Sequence, residues 1–124
     1  MYTANSEPAR IVETRRHLDA DLVARANGGD EAAFEAIMRQ HNRLLFRSAR
    51  GIVDDDAEAQ DVVQEAYLRA FSTLPSFRGD CALGTWMARI AINIARDTQR
   101  KQGRTLRFDD MAAHDDAPDR EEMM

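Results

Sequence analysis

The sequence predicts an all-α fold, a small bundle of three long helices preceded by one short N-terminal helix. Apolar residues recur at helical spacing in four segments, polar or glycine-containing stretches separate these segments, and no segment alternates as a strand would. A chain of 124 residues is enough for one domain with a modest core. We expect a helical domain over residues 18–104, a flexible arm at residues 1–17, and an acidic linker or disordered tail at residues 105–124.

The first two predicted helices meet at a glycine turn. Residues 19–26 carry a short apolar face, and the Asn-Gly-Gly stretch at 27–29 ends that helix. Asp30 is a good N-cap for a second helix over about residues 31–51. The apolar face of this second helix consists of Ala33, Phe34, Ile37, Met38, His41, Leu44, Leu45 and Ser48.

The third and fourth predicted helices are separated by a loop. Three consecutive aspartates open the third helix, roughly residues 56–74, where their charge suits the helix dipole, and Pro75 closes it. Residues 76–85 contain two glycines and predict the loop, with Thr85 as N-cap of a fourth helix that ends near 104. The two apolar faces are Val62, Val63, Ala66, Tyr67, Ala70 and Phe71, and then Trp86, Met87, Ile90, Ala91 and Ile94.

Charge is distributed very unevenly along the chain. Residues 75–107 carry seven basic and two acidic side chains, a net charge of +5, whereas residues 1–74 carry −4 and residues 108–124 carry −6. The overall net charge of −5 therefore hides a basic segment whose local field favours nucleic acid as a partner.

Composition disfavours several classes of protein. The chain has no apolar run long enough to span a membrane and no signal peptide, so we expect a cytoplasmic protein without membrane insertion. A single cysteine, Cys81, excludes an internal disulfide. The three histidines are far apart, and no motif supplies a nucleophile, a general base or a set of metal ligands. We therefore expect neither an enzyme nor a cofactor.

The third predicted helix carries a second stripe, away from its apolar face. Its members are spaced three, four and three residues apart: Glu58, Asp61, Glu65 and Leu68, with Gln64 beside them. Carboxylates next to an exposed leucine suit docking onto a basic, partly apolar helical surface. The alternative interpretation is a solvated acidic face with no partner.

The fourth predicted helix also has a polar stripe, formed by Arg89, Asn93, Arg96 and Arg100. Arginine can hold phosphates, and asparagine offers a donor and an acceptor to a base edge. In the loop before it, Phe77, Arg78 and Asp80 precede Trp86, and a loop of this kind can receive an unstacked base. The alternatives are an ordinary solvated helix face and two aromatic rings that close the core.

Three motifs, taken in order, resemble region 2 of bacterial sigma factors, most of all the extracytoplasmic-function group. They are DVVQEAYLRAF at residues 61–71, SFRGD at 76–80 and TWMARIAINIARD at 85–97. The resemblance runs from about residue 21 to residue 104. The order and spacing of the three motifs make it specific, although each motif alone would be weak.

The resemblance implies a transcription initiation module, of a group that includes stress-response factors, with core RNA polymerase, promoter DNA and an anti-sigma factor as partners. It implies docking on the clamp helices of the polymerase β′ subunit through Asp61, Gln64, Glu65 and Leu68. It also implies recognition and melting of the −10 promoter element, where a base of the non-template strand is flipped out and held. The implied DNA-binding residues are Phe77, Arg78, Asp80, Trp86, Arg89, Asn93, Arg96 and Arg100.

Two other functions stay open at this point. One is a protein-interaction module held mainly by an anti-sigma factor or another regulator, and the other is an unrelated helical bundle that binds duplex DNA without polymerase. Full members of the resembled group carry a second helical domain that reads the −35 element, which residues 105–124 cannot form. We expect these residues to be the start of an interdomain linker or the end of a natural short form.

Overall fold

Four α-helices build the fold. The computed structural model describes the backbone of residues 6–114 and the side chains of residues 9–103. The elements in order are α1 (Ser6–Asn27), α2 (Glu31–Arg50), α3 (Asp56–Thr73), a 3-10 turn (Leu74–Ser76) and α4 (Leu83–His114). The described residues form no strand, and the predicted all-α bundle is confirmed.

Helix α1 is longer than the sequence predicted. It begins at Ser6 and not near residue 19, so residues 6–17 are helical where we expected an arm. Side chains 9–18 are all exposed, so this part of the helix has no buried apolar face that would appear as a periodic pattern in the sequence. Residues 1–5 of the expected arm lie outside the described residues. Among the described side chains of α1, the buried ones lie in its C-terminal part: Asp19, Leu22, Val23 and Ala26.

The turn between α1 and α2 is fixed by Asp30. Its side chain accepts a hydrogen bond from the Ala32 amide at 2.9 Å, so the predicted N-cap is confirmed. Arg25 Nε donates to Asp30 Oδ2 at 3.0 Å, and this hydrogen bond holds the pKa of Asp30 below its usual value. Gly29 has φ +91°, a backbone conformation that other residues rarely adopt.

The turn between α2 and α3 is held by side chains from both sides. Asp55 is the N-cap of α3 and accepts from a backbone amide of its first turn at 2.8 Å. Arg50 Nη1 donates to the Val53 carbonyl at 3.0 Å. From α4, Gln99 Nε2 donates to the Ile52 carbonyl at 3.1 Å. The Arg50 and Gln99 bonds satisfy carbonyl groups that the turn leaves outside the helices, and the Asp55 bond satisfies an amide of the first turn of α3.

The core lies where α2, α3 and α4 meet, and its largest fully buried side chains are Ile37, Leu45, Leu74, Leu83 and Met87. Each such burial contributes about 1.5–3 kcal/mol relative to exposure. Small side chains let the helices approach one another closely, and alanines with no exposed surface occur on all three helices: Ala33, Ala49, Ala59, Ala66, Ala70, Ala91 and Ala95.

Helix α4 begins two residues before the predicted cap. Leu83 is its first residue, and Thr85 lies inside the helix, so the prediction of Thr85 as N-cap was wrong. The residue before the helix is Ala82, which has no side-chain acceptor. The acceptor comes from α1 instead, because Asp19 Oδ2 receives the Leu83 amide at 3.2 Å. Local sequence cannot show a cap supplied by a distant helix.

Helix α4 also continues past its predicted end. It runs to His114, so residues 105–114 are helical where we expected a linker or tail. The prediction for residues 115–124 lies outside the described residues. Once a helix has formed, each added residue costs little, so a helix can extend through a segment that has no apolar pattern.

Candidate functional site

Four residues form an exposed strip along α3, the α3 strip: Asp61, Gln64, Glu65 and Leu68. All four are exposed, and Leu68 keeps 68% of its surface accessible. Glu65 Oε2 accepts from Arg69 Nε at 3.2 Å in an exposed ion pair. Such a pair is weak in water, so it leaves the carboxylate available to another partner.

A shallow apolar groove runs beside the α3 strip, between α2 and α3. Its volume is about 530 Å³, and its lining is Phe34, Met38, Gln64, Tyr67, Leu68 and Phe71. Phe34 meets Phe71 edge-on, with ring centroids 4.7 Å apart. The sequence assigned Phe34, Met38 and Phe71 to buried faces only. The structure leaves these three half-buried, and this partial exposure was not visible in the helical pattern.

Tyr67 holds the floor of the α2–α3 groove in place. Its ring stacks on Phe71 with centroids 5.7 Å apart. Its hydroxyl donates to Asn42 Oδ1 at 2.6 Å, and the Met38 carbonyl oxygen is also within reach at 3.1 Å. Burial raises the pKa of Tyr67 to about 12. The groove is therefore built on a neutral tyrosine that ties α3 to α2.

Glu58 does not share the exposure of the α3 strip, although the sequence placed it in the same stripe. Its side chain is half-buried, and Glu58 Oε2 accepts a hydrogen bond from Gln102 of α4. Its other oxygen, Oε1, is buried without a hydrogen-bond partner among the described residues. Glu58 therefore joins α3 to α4 and is poorly placed to meet an outside partner.

The α4 strip is the second surface, and its members are Arg89, Asn93, Arg96 and Arg100. All four side chains are exposed. Arg100 forms an ion pair with Asp97 one turn earlier, which compensates part of its charge. Among the ion pairs of the described side chains, none involves Arg89 or Arg96. Within the α4 strip, these two guanidinium groups are therefore better placed than Arg100 to bind a phosphate.

Residues 77–82 form the lead-in loop of α4. Phe77 and Trp86 are both half-buried, with ring centroids 5.1 Å apart and ring planes at 51°. They help to close the core, and part of each ring stays accessible. Arg78 and Asp80 are exposed. Gly79 between them has φ +82°, which lets the loop bend sharply.

The α3 strip also borders a second groove, which lies between α3 and α4. Asp61 and Glu65 of α3 line one wall of this groove, and Asp97 and Lys101 of α4 line the other. None of the four α4 strip residues lines this groove, so the basic surface of α4 lies outside it, whereas the acidic and partly apolar surface of α3 borders it. The polar residues of both strips are exposed, as are Arg78 and Asp80 of the lead-in loop.

Other candidate chemistry finds little support in the described part of the chain. His41 Nδ1 lies 2.7 Å from the Ile37 carbonyl oxygen, as expected for a histidine at the core boundary. Cys81 is a free, half-exposed thiol whose Sγ lies 3.9 Å from Arg89 Nη1. The described residues contain no group of three His, Cys, Asp or Glu side chains that could hold a metal ion. No described helix is long and apolar enough to cross a membrane.

A family model and individual relatives each match more than half of this chain. The family described as sigma-70 region 2 matches residues 37–105, which contain both strips and the lead-in loop. The RNA polymerase sigma-H factor of Pseudomonas aeruginosa is 39% identical over 97 residues, covering 78% of this chain and 50% of the relative. The ECF RNA polymerase sigma-E factor of Escherichia coli is 40% identical over 87 residues, covering 69% of this chain and 44% of the relative.

A third relative comes from another bacterium. The ECF RNA polymerase sigma factor SigM of Mycobacterium tuberculosis is 39% identical over 83 residues, covering 67% of this chain and 42% of the relative. The chain thus spans about half the length of the curated relatives it matches. The family match over more than half of the chain, together with these identities, shows that the chain belongs to the sigma-70 region 2 family and is of the ECF type.

Proposed function

We propose that this chain is a transcription initiation module that binds core RNA polymerase through α3 and the −10 promoter element through α4, and that it acts in the cytoplasm. The observation that carries the proposal is the pair of exposed strips on adjacent helices, one acidic with an exposed leucine and one basic with an asparagine. Family membership supports the assignment, because the relatives are named as RNA polymerase sigma factors.

The polymerase-binding role rests on the α3 strip and the groove beside it. Leu68 is 68% exposed, and covering a leucine side chain gains about 1.5–3 kcal/mol. The α2–α3 groove offers further apolar surface next to it. Asp61 and Glu65 supply charge that would orient a basic partner helix and speed its encounter. A basic, partly apolar helix such as a clamp helix of the β′ subunit fits this surface.

The DNA-binding role rests on the α4 strip and the lead-in loop. Flipping a base out of a duplex costs a few kcal/mol, which contacts with the released strand must offset. Arg89 and Arg96 can hold the strand backbone, and Asn93 can bond to a base edge. Phe77 and Trp86 offer partly exposed rings on which a base can stack. Melting by this route needs only binding energy and no catalytic group.

A regulator is a second candidate partner for the same surface. The α2–α3 groove is mostly apolar and lies beside exposed Leu68, so it also fits a helix from an anti-sigma factor. A chain that served only as a regulator-binding module would not need Asn93 or Arg96. Variants of the α4 strip therefore separate the two functions.

The test of DNA recognition uses the chain bound to core RNA polymerase. Single strands enriched from a random six-base pool by this complex give the preferred −10 sequence, and fluorescence anisotropy then compares that strand with a scrambled one. We expect at least about a tenfold preference, a difference of about 1.4 kcal/mol. Asn93→Ala should lose most of it, because a base-edge contact specifies sequence.

The matched control is Gln40→Ala, which removes an exposed amide from α2. It should leave the strand preference unchanged. Equal affinity of the wild-type complex for preferred and scrambled strands would contradict the DNA-binding role. A loss in Asn93→Ala that is equal for both strands would instead make Asn93 a backbone contact.

A further inference from the structure

Asp19 stands apart from the other charged residues of the domain. It is 8% exposed and is the one buried polar or charged residue among the described side chains. It lies in α1, where most neighbouring side chains point into solvent. Neither strip contains it, so the proposed function gives it no role.

The contact made by Asp19 is long-range and directional. Its Oδ2 accepts the backbone amide of Leu83 at 3.2 Å, across 64 positions of sequence. Leu83 is the first residue of α4, where amide groups have no partner inside the helix. Ala82, the residue before it, has no side chain that could accept this bond. A carboxylate is also the charge that the positive end of a helix dipole favours.

The Asp19 bond lies where the lead-in loop joins α4. Residue 82 ends the loop and residue 83 begins the helix, so the bond fixes the point at which the loop enters α4. Trp86 follows within the first turn and contacts Phe77 at the other end of the loop. A shift of this first turn would therefore move both ends of the loop relative to the α4 strip.

We propose that Asp19 is a positioning residue for DNA recognition: by capping α4 at Leu83, it holds the lead-in loop in the geometry that receives the −10 strand. Helix α1 thus contributes to strand selection without touching DNA. This inference rests on the proposed function for its consequence, although the cap itself can be tested without DNA.

The first test measures the cap directly. Hydrogen exchange by NMR reports the Leu83 amide, and the emission of Trp86, the chain's one tryptophan, reports the loop. Asp19→Ala should speed Leu83 exchange by about three- to thirtyfold relative to the Met87 amide in the core and should shift Trp86 emission. Asp19→Asn keeps an acceptor oxygen and should stay close to wild type, because both residues cap well.

The second test measures the consequence, in complex with core polymerase. Asp19→Ala should reduce the preference for the selected −10 strand at least about threefold while its affinity for polymerase stays unchanged. Ala82→Ser placed in the Asp19→Ala background gives α4 a local cap and should restore the preference. The control is Asp21→Ala, which removes an exposed aspartate from the same helix and should behave as wild type.

The outcomes separate the inference from the proposed function. Unchanged Leu83 exchange, or unchanged strand preference in a folded Asp19→Ala variant, overturns the positioning role. If Asp19→Ala does not fold, Asp19→Asn decides, because loss of strand preference in that folded variant while Leu83 exchange stays as in wild type would separate DNA recognition from the cap and would overturn the inference. A wild-type complex without strand preference overturns the proposed function, and Leu83 exchange with Trp86 emission still decides whether Asp19 positions the loop.

Discussion

Gly84, in the first turn of α4, lies directly against His41 of α2. A β-carbon at position 84 would stand 2.9 Å from His41 Cδ2 and 3.2 Å from Leu44 Cδ2. His41 has little freedom to withdraw, because its Nδ1 is 2.7 Å from the Ile37 carbonyl oxygen. The missing side chain at position 84 thus lets the start of α4 rest on α2, immediately after the lead-in loop.

Gly84→Ala should therefore destabilise the domain, by about 1–3 kcal/mol, because overpacking forces neighbouring atoms apart. Gly103→Ala in the same helix is the matched control. Nothing lies within 4 Å of a β-carbon there, and alanine is the better helix former by about 1 kcal/mol. Urea denaturation of both variants checks the prediction. Equal stability changes of the same sign would contradict the close packing at Gly84.

Tyr67 should make the domain less stable as the pH rises through the alkaline range. Its pKa is about 12 in the folded chain, against an ordinary value of about 10, so the unfolded chain loses the proton first as pH rises. The stability that is present below about pH 10 should fall between about pH 10 and 12, by on the order of 2 kcal/mol.

Tyr67→Phe should abolish that alkaline loss while costing about 1 kcal/mol at neutral pH for the missing hydrogen bond. Denaturant titrations at several pH values, on wild type and variant, measure both effects. Few other groups interfere, because the chain has one other tyrosine, Tyr2, and one lysine, Lys101. An identical alkaline loss in the variant would assign the effect to another group.

Leu68→Ala should weaken polymerase binding about tenfold and barely change stability. The side chain is 68% exposed, so truncating it removes little from the core, whereas a partner that covers it would lose on the order of 1.5 kcal/mol. Ile11→Ala is the control, since Ile11 is 60% exposed on α1. Surface plasmon resonance with core polymerase compares the two. Equal affinities would place the interface elsewhere.

Arg96→Ala should lower the salt dependence of single-strand binding. One neutralised phosphate contributes about 0.7 to the slope of log affinity against log salt concentration. Arg16→Ala removes an equal charge from an exposed position on α1 and should leave the slope as it is. Anisotropy titrations over a range of salt concentrations give both slopes. A wild-type slope in Arg96→Ala would exclude a phosphate contact at that residue.

Sequence periodicity predicted those helices that bury a face. The cap of α2 was also predicted, because Asp30 stands next to the helix that it caps, and the aspartate run marked the start of α3, although Asp55 was not singled out as its cap. The same reasoning failed at Thr85, where the acceptor comes from Asp19 in another helix. It also missed residues 6–17 and 105–114, since neither segment of the sequence shows the apolar periodicity that marked the other helical segments.

The sequence predicted which residues belong to the candidate site, but it predicted poorly which of them are exposed together and which grooves lie beside them. Spacing put the α3 strip and the α4 strip on defined helix faces, and every polar member is exposed. Spacing alone could not separate Glu58 from Asp61 and Glu65, because only the packed structure brings Gln102 against Glu58. The α2–α3 groove was missed for the same reason, since its residues come from two helices.

The most direct test of the proposed function is equilibrium binding of this chain to core RNA polymerase, with Asp61→Ala/Glu65→Ala as the variant. The matched control is Glu13→Ala/Asp54→Ala, which removes two exposed carboxylates away from the α3 strip. We predict tight binding by wild type and control and a loss of at least about tenfold in the folded variant. Binding that is absent in wild type, or equal in all three proteins, would contradict docking through the α3 strip.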